Sequence, residues 1–208
     1  MFESIQIVGR GRVGSAIAAR LHERGVSVLE AGAELVLLCV PDRAIAEVAR
    51  SVEPGPWIAH TSGANPLSAL DPHERRFGLH PLQTFVAGGS AAQLDGSYGA
   101  VTAETDEGRA HGFALADEAR PLYHAGAAIA SNYLVTLHAV ASELFEEAGA
   151  PPEALVPLMR RTIENGFELT GPIARGDWGT VDAHRRAIRR VRPDLEPVYE
   201  VLAEATAR

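Results

Sequence analysis

Lysine is absent from this 208-residue chain, and all 19 of its basic residues are arginines. A Schiff-base lysine, a pyridoxal-phosphate anchor, a phosphate-loop lysine and a lysine general acid are therefore excluded. A proton donor or electrophile must come instead from the 8 histidines, the arginines, the carboxyl groups, the hydroxyls or the backbone. This absence restricts the possible chemistry before any motif is considered.

Cysteine is represented only by Cys39, which lies in an apolar run, so disulfides and thiolate metal sites are excluded and no metal site is expected. No apolar run approaches the roughly 18 residues that span a bilayer. The N-terminal MFESIQIVG lacks the basic segment and cleavage site of a signal peptide. With a net charge of −8 and scattered arginines, the chain is not expected to bind nucleic acid. We expect a cytoplasmic protein with a small-molecule substrate and no membrane partner.

The chain falls into two parts with different patterns. Up to about residue 120, short apolar strands alternate with amphipathic helices, which is typical of a parallel sheet covered by helices. The predicted strands are 4–8, 34–40, 57–60, 77–80 and 98–103. One predicted helix follows the first strand and ends near residue 24, and two more cover 43–52 and about 106–119. The later pattern predicts helices over 122–149, 151–167, 178–191 and 194–206. The fold class is therefore α/β: a Rossmann-like, mostly parallel sheet over residues 1–120, followed by an all-α domain over 121–208.

A glycine motif, GRGRVG over residues 9–14, follows the first strand and opens a helix, which is the context of a dinucleotide-binding turn. Gly9 allows the tight turn, Gly11 lets the backbone approach a pyrophosphate, and Gly14 lets the helix pack closely on the strand. Arg12 and Val13 begin the helix, whose N–H groups and dipole attract phosphate. The alternative is a tight strand-to-helix turn without a ligand.

The second strand of a dinucleotide site is short in this sequence. Its candidate is Val26 to Leu29, and Glu30 at its end is placed to hold a ribose, which favours NAD over NADP. Three residues separate Glu30 from the next strand and reach about 10 Å, whereas a parallel crossover takes about a dozen residues. The usual helix and third strand are therefore missing. Either Val26 to Leu29 is a truncated parallel remnant or it turns back antiparallel, and binding of an intact NAD or NADP stays open.

Polar residues follow two neighbouring predicted strands. His60, Thr61 and Ser62 come just after one strand, and His80 and Gln83 lie just past the next. Ligands of open α/β sheets bind beyond the carboxyl ends of the strands, so these groups are expected to face one crevice. The alternative is that each histidine ends its strand and bonds to the local backbone.

The long helix after residue 121 carries another polar face. At 3.6 residues per turn, positions 124, 128, 131, 132 and 135 share one side, with His124 and Asn132 about two turns apart. Ala128 leaves room between them for a ligand, although a helix packed tightly through small residues fits nearly as well. Later in the chain, Arg175 either receives a substrate carboxylate or pairs with Asp177.

Six segments together resemble one family in order along almost the whole chain: GRGRVG, LLCVPD, HTSGA, HPLQTF, ASNYLVTLHA and LTGPIARGD. It is the small Rossmann-type family of the 6-phosphogluconate dehydrogenase-like superfamily, whose helical C-terminal half was long a domain of unknown function. Some of its members are similar to ketopantoate reductases. The resemblance implies an NAD(P)-dependent oxidoreductase that reduces a small oxo acid, with the helical half completing the site and forming a homodimer.

The resemblance also implies residue roles. His124 stands where related dehydrogenases have a lysine general acid, Ala128 replaces a first asparagine, and Asn132 matches a second. His124 and Asn132 are therefore expected to be catalytic, with His80 and Ser62 lining the nicotinamide side. The predicted cofactor contacts are Gly9, Gly11, Arg12, Val13, Gly14, Val40, Pro41, His60 and Thr61, and the predicted substrate contacts are Ser131, Arg175 and Gln83.

Three functions remain after the sequence is considered, and the reductase is favoured by a modest margin. The second is an acid–base enzyme that uses His60, His80 and His124 without a nicotinamide. The third is a degenerate Rossmann-like binding protein that has lost the adenosine-ribose site. The short segment after Leu29 favours the last two, whereas GRGRVG and the Ser131-Asn132 pair favour the first two.

Overall fold

The computed structural model describes residues 2–105 and 113–208. Its contacts divide the chain into two compact units, Met1–Ser131 and Asn132–Arg208. The sequence pattern changes earlier, at residue 121, because the helix that begins there packs its first turns on the sheet unit.

The first unit contains one sheet. Within the described residues its seven strands have the order β2-β1-β3-β4-β5-β6-β7, and only the β5–β6 pair is antiparallel. The strands are β1 Ser4–Val8, β2 Ser27–Val28, β3 Leu35–Leu38, β4 Trp57–His60, β5 Arg76–Leu82, β6 Tyr98–Ala103 and β7 Phe113–Ala114. The predicted α/β fold with a mostly parallel sheet is confirmed.

The position of the truncated strand β2 explains how a short connection reaches β3. Val28 on β2 and Leu35 on β3 both pair with Ile5 of β1, so β2 ends at the level where β3 begins. The chain therefore only has to cross two strand spacings, about 10 Å, and the six residues 29–34 reach about 20 Å. β2 is the truncated parallel remnant, and the antiparallel alternative is wrong.

Helices cover both faces of the sheet, as a parallel sheet requires. Alternate residues of β3 point to opposite sides: Leu35 and Leu37 join a core with Ile17 of the first helix, while Val36 and Leu38 pack with Ile45 of the second helix and with Ile58. The helices are α1 Arg12–Glu23, α2 Ile45–Ser51 and α3 Arg120–Ala128. The continuous apolar run of β3 reflects this burial on both faces.

The predicted helix over about 106–119 is wrong where it can be examined. Residues 106–112 lie outside the described part of the chain. Phe113 and Ala114 form a strand that pairs with Ala100 and Val101, and Asp117–Ala119 is a single 3-10 turn. The pairing with an open sheet edge overrides local helix propensity, as the Leu115 N–H donating to the Val101 carbonyl shows (2.8 Å).

The second unit is helical. A π-helical turn, Ile129–Tyr133, contains the boundary between the units, and α4 Leu134–Glu147, α5 Leu155–Glu164, α6 Trp178–Val191 and α7 Glu196–Thr206 follow. Helix α6 has the predicted bounds, but α5 ends before residue 167 because Gly166 and Phe167 adopt positive φ (69° and 60°). In the described residues, no helix has the length and apolar character needed to cross a bilayer.

Candidate functional site

The glycine turn joins β1 to α1 through two close backbone contacts. A Cβ at Gly9, which has φ +98°, would lie 2.6 Å from the Cys39 carbonyl oxygen, and a Cβ at Gly14 would collide with the Gly9 carbonyl. Gly11, in contrast, has open space within 4 Å of its Cβ position. Two glycines therefore serve packing, and the third leaves the backbone accessible to a ligand, as the sequence predicted.

The N-terminus of α1 is prepared for an anion. No side chain caps the helix at Gly11, and its first turn contains no acidic residue. The first N–H groups of a helix lack intrahelical acceptors, and the helix dipole makes this end positive. Arg10 and Arg12 are exposed beside these groups. The turn therefore fits the pyrophosphate of a dinucleotide, the group the resemblance implies.

Little of the ribose end is present. Glu30 follows the two-residue β2, its side chain is 98% exposed, and one of its oxygens lies 3.8 Å from the Arg10 guanidinium. This is a weak surface pair. Glu30 is suited to a ribose hydroxyl and Arg10 to a ribose phosphate. The two-residue β2 replaces the longer strand that usually positions such groups.

The turns after β1, β3 and β4 meet at the carboxyl edge of the sheet. Thr61 donates its N–H to the Leu38 carbonyl (3.1 Å), and the Asn65 side chain donates to the Asp42 carbonyl (2.9 Å). Val40 touches the Gly9 turn, and Pro41 is exposed next to it. These contacts place the predicted cofactor residues Val40, Pro41 and Thr61 around one edge.

Ser62 shapes this edge from the inside. It is 5% exposed, and its Oγ accepts hydrogen bonds from the N–H groups of Ala64 (3.2 Å) and Asn65 (3.0 Å). A serine that closes such a turn is held by the backbone. Its position supports a structural role in the turn, and the predicted contact of its hydroxyl with a nicotinamide does not fit its burial.

His60 lies in the protein interior and not at the crevice surface. It is fully buried, and neither ring nitrogen makes a hydrogen bond of normal geometry with the described residues. Burial, and secondarily the Arg120 charge, lowers the pKa of His60 to about 4. The ring is therefore neutral near pH 7, and its burial argues against the predicted contact with a cofactor.

Arg120, at the start of α3, is a fully buried cation next to His60. Its guanidinium donates to Thr102 Oγ1 (2.7 Å) and to the Ser62 carbonyl. A Cβ at Gly78 would lie 3.0 Å from both the Arg120 guanidinium and the His60 ring, so this glycine makes room for the pair. Arg120 thus joins α3, β6 and the turn after β4, and it holds that turn in place.

Two histidine rings form the crevice itself. The rings of His80 and His124 are 6.1 Å apart and nearly perpendicular. A Cβ at Gly63 would lie 2.7 Å from His124 Cδ2 and 3.0 Å from His80 Nε2, so both rings rest against the bare backbone of Gly63. The sequence predicted His80 and His124 in one site, and the structure brings them together.

His80 is held on its other side by Tyr123. Its Nδ1 lies 2.7 Å from the Tyr123 hydroxyl. Burial, followed by the charges of His124 and Arg120, lowers the pKa of His80 to about 4. His80 is therefore a neutral ring near pH 7, with one nitrogen engaged by Tyr123 and the other facing Gly63.

The other predicted substrate contacts either have local hydrogen-bond partners or belong to the second unit. Gln83 is exposed and accepts from the Thr84 N–H (2.8 Å), and Ser131 donates to the Ala127 carbonyl (2.7 Å). Asn132 and Arg175 belong to the second unit, so their placement at the crevice stays a prediction. The shared helix face predicted for 124–135 assumed 3.6 residues per turn, which the wider π-helical turn at Ile129–Tyr133 does not follow.

Arg175 does not form the alternative ion pair. No described carboxylate lies within 4.0 Å of its guanidinium. Asp177 instead caps α6, accepting from the Thr180 N–H (3.1 Å) and from the Thr180 hydroxyl (2.7 Å). The hydrogen bonds from Thr180, and more weakly the Arg175 charge, lower the pKa of Asp177.

Arg120, Tyr123 and Gly63 had no assigned role in the sequence prediction. Arg120 is one of 19 arginines and directly precedes Pro121, a position that reads only as a helix start. In the sequence, Tyr123 is distinguished only by its place beside His124. The one available signal for Gly63 was its place after Ser62, in a short turn following a buried strand.

A separate cavity of about 610 Å³ lies near the starts of β1 and β2, away from the histidines. Its lining is mostly apolar, with Arg20 and Arg24 at the end of α1. Arg20 is already engaged by the Ala91 carbonyl and by Asp95. We assign no chemistry to this cavity.

These features define a class of protein, namely a Rossmann-like α/β unit with a glycine turn and a histidine crevice on its carboxyl edge, followed by a helical unit. A family model for a Rossmann-like domain matches residues 25–85, and the model for a domain of unknown function, DUF2520, matches residues 100–206. Because the second match covers just over half of the chain, the protein belongs to the DUF2520 family. The predicted resemblance to a Rossmann-type family with a helical C-terminal domain of unknown function is confirmed.

Solved structures share this fold over almost the whole chain. A protein provisionally described as an NADP oxidoreductase from Bacteroides fragilis is 20% identical with a TM-score of 0.80, covering 99% of this chain and 98% of its own. Protein TM1727 from Thermotoga maritima is 22% identical with a TM-score of 0.70, covering 99% and 100%. The 1-pyrroline-5-carboxylate reductase from Streptococcus pyogenes is 13% identical with a TM-score of 0.62, covering 98% of each chain. At these identities the similarity establishes the fold. No match was found among curated proteins.

Proposed function

We propose that the protein is an NAD(P)-dependent oxidoreductase that reduces a small oxo acid. The observation that carries the proposal is the convergence of His80 and His124 on Gly63, at the same sheet edge as the glycine turn. The strand order separates β1 from β5 by three spacings, about 14 Å, a span suited to an extended dinucleotide. Two of the solved structures are described as an NADP oxidoreductase and a reductase, which agrees with this reading.

The glycine turn would hold the pyrophosphate through the backbone of Gly9 and Gly11 and the first N–H groups of α1. Arg12 and Val13 supply two of those groups. When bound, the nicotinamide would supply the hydride that reduces the carbonyl. The open space at Gly11 and the absence of an acidic residue in the first turn of α1 support this assignment.

The histidines would manage the proton. As the substrate carbonyl gains negative charge, it needs a hydrogen-bond donor or a proton within about 3 Å. His124 is exposed and would protonate the oxygen, while the neutral His80 ring would orient it. Asn132, Ser131, Gln83 and Arg175 stay proposed substrate contacts, with Arg175 suited to a carboxylate because no described carboxylate lies within 4.0 Å of its guanidinium.

Cofactor choice would depend on Arg10 and Glu30. The Glu30 carboxylate accepts hydrogen bonds from a ribose and repels a 2′-phosphate, whereas Arg10 attracts that phosphate. Both side chains are solvent-exposed, so neither cofactor is excluded. Glu30→Gln should tighten NADPH binding relative to NADH binding, while Arg10→Gln should have the opposite effect.

The test is a direct titration of the pure protein with NADH and NADPH, followed by turnover of small 2-oxo acids. Gly11→Asp places a carboxylate at the pyrophosphate position, where the new Cβ has no protein atom within 4 Å, and should abolish cofactor binding. Gly11→Ser is the matched neutral control, since serine is also a favourable helix N-cap. If neither cofactor binds wild-type protein at millimolar concentration, the proposal is refuted.

A second candidate is an acid–base enzyme that uses the same crevice without a nicotinamide. It is favoured by the two-residue β2, which leaves no platform for adenine and ribose. This candidate predicts that small oxo acids raise the thermal stability of the protein in the absence of cofactor. It also predicts that Gly11→Asp leaves this effect intact, whereas His124→Ala removes it.

The proposed enzyme would act as a homodimer through its helical unit. That unit exposes many large apolar side chains, among them Val135 (70%), Leu158 (60%) and Phe167 (71%). Exposed apolar surface of this extent is typical of an interaction surface. Closed two-fold dimers are the commonest arrangement among oligomeric proteins, which supports a second copy as the partner.

A further inference from the structure

Tyr123 makes a specific contact that the proposed reaction has not used. Its hydroxyl lies 2.7 Å from Nδ1 of His80, with the two rings perpendicular (86°) and 5.5 Å apart. The Tyr123 ring is itself supported by the edge of Phe113, with the ring centres 6.1 Å apart. The phenol is thus held in one orientation relative to the imidazole.

The direction of this hydrogen bond determines which His80 nitrogen carries the proton. A neutral imidazole has one donor and one acceptor nitrogen. If Nδ1 donated, the Tyr123 proton would need another acceptor, and among the described residues His80 is the partner found for it. If Tyr123 donates, Nδ1 is the acceptor and the ring proton lies on Nε2. The second arrangement satisfies both groups.

The surroundings of His80 keep the ring neutral, which makes the tautomer meaningful. Among the described residues, the titratable groups that act on it are Arg120, His124, His60, Tyr123 and, more weakly, Asp42. Burial comes first among the effects on its pKa, and the positive neighbours act in the same direction, whereas Asp42 opposes them. A second proton is therefore disfavoured at neutral pH, and His80 offers a single N–H.

We propose that Tyr123 is a positioning residue: it donates to Nδ1 of His80 and so keeps an N–H on Nε2, facing Gly63, as the hydrogen-bond donor for the substrate's carbonyl oxygen. The inference rests on the proposed reductase function for the identity of that oxygen. The two histidines then have different roles. His124 protonates the carbonyl oxygen, and His80 stabilises the developing negative charge without being deprotonated. His80 then acts as an oxyanion donor.

The chain provides a matched control in its second unit. His184 Nδ1 lies 2.8 Å from the Tyr199 hydroxyl, with the rings 6.0 Å apart and nearly perpendicular (87°). This pair repeats the His80–Tyr123 geometry outside the proposed machinery. Tyr199→Phe therefore removes the same kind of hydrogen bond without touching the proposed chemistry.

The test is nitrogen NMR of the imidazoles in ¹⁵N-histidine-labelled protein at neutral pH, which separates pyrrole-type from pyridine-type nitrogens. Wild-type His80 should show a pyrrole-type Nε2 and a pyridine-type Nδ1. In Tyr123→Phe the two signals should move toward each other as the tautomers mix. In Tyr199→Phe, His80 should be unchanged and only His184 should respond.

Steady-state kinetics provide the second readout. Tyr123→Phe should lower kcat about fivefold to tenfold, the effect of one lost hydrogen bond, with cofactor affinity unchanged and kcat preserved in Tyr199→Phe. A wild-type His80 protonated on Nδ1, or a tautomer unaffected by Tyr123→Phe, would overturn the proposal. A protein that is inactive on all oxo acids would refute the reductase function. The NMR experiment needs no turnover, so the His80 tautomer would still decide the role of Tyr123.

Discussion

The buried His60 should make the sheet unit sensitive to mild acid. Its pKa is lowered from an ordinary value of 6.5 to about 4, first by burial and then by the charge of Arg120. As the pH falls below 6.5, His60 becomes protonated in the unfolded chain but stays neutral in the folded protein. The free energy of unfolding therefore decreases. The loss begins near pH 6.5 and is complete near pH 4, and at neutral pH there is none.

The size of the effect follows from the two pKa values. Within the window, one histidine changes the free energy of unfolding by about 1.4 kcal/mol for each pH unit. Between about pH 7.5 and about pH 5, His60 should therefore remove about 2 kcal/mol of stability. His80 adds to the effect in the same direction, but its partial exposure reduces its contribution.

His60→Leu isolates this contribution. The leucine is apolar and of similar size, and His60 makes no hydrogen bond of normal geometry to lose, so stability at pH 7.5 should change by less than about 1.5 kcal/mol. Urea unfolding at several pH values, in a Trp178→Phe background where fluorescence reports on the buried Trp57, gives the two slopes. The exposed His22→Gln is the control and should keep the wild-type slope. An acid slope equal in wild type and His60→Leu would refute the reasoning.

Three further predictions concern the crevice, its support and the helical unit. Gly63→Ala should displace both histidines, because its methyl would lie 3.0 Å from the His80 ring and 2.7 Å from the His124 ring, and it should lower turnover at least tenfold with cofactor affinity unchanged. Arg120→Met should destabilise the protein by about 1–3 kcal/mol for each acceptor left unpaired, measured by urea unfolding. Leu158→Glu should convert the proposed dimer to monomers in analytical ultracentrifugation.

Each of these variants has a matched comparison. Gly126→Ala lies on α3 with open space around its Cβ, so it should keep full turnover, and equal losses in both glycine variants would contradict the crevice assignment. Thr102→Val removes only one partner of Arg120 and should destabilise less than Arg120→Met does. Thr162→Glu adds the same charge to α5 as Leu158→Glu. A wild-type protein that sediments as a monomer at all concentrations would refute the dimer.

Much of the fold could be predicted from residue patterns because those patterns report burial directly. The run from Leu35 to Leu38 is apolar at every position because β3 is covered on both faces. The apolar positions of Trp178–Val191 give α6 its predicted bounds, with Asp177 as its cap. The strand at Phe113–Ala114 was missed because it depends on pairing with β6, which local propensity does not encode.

The candidate site could be predicted only in part. His80 and His124 were chosen correctly as neighbours, because a strand end and a helix start are positions where side chains reach the carboxyl edge of the sheet. His60 is the last residue of β4, whereas His80 lies two residues before the end of β5, and His60 is fully buried. The His60 ring packs beside Gly78 and Arg120. Gly78 and Arg120 are more than forty positions apart in the sequence, so a local pattern does not predict this packing.

By itself, the sequence determined which side chains are available as proton donors and where the turn suited to a cofactor lies. The absence of lysine leaves histidine, arginine and hydroxyl groups as the available donors, and the spacing of Gly9, Gly11 and Gly14 specifies the turn. Only the tertiary structure decided the charge states and partners of the histidines. A pKa and a tautomer depend on burial and on neighbours brought together by folding, such as Arg120 and Tyr123.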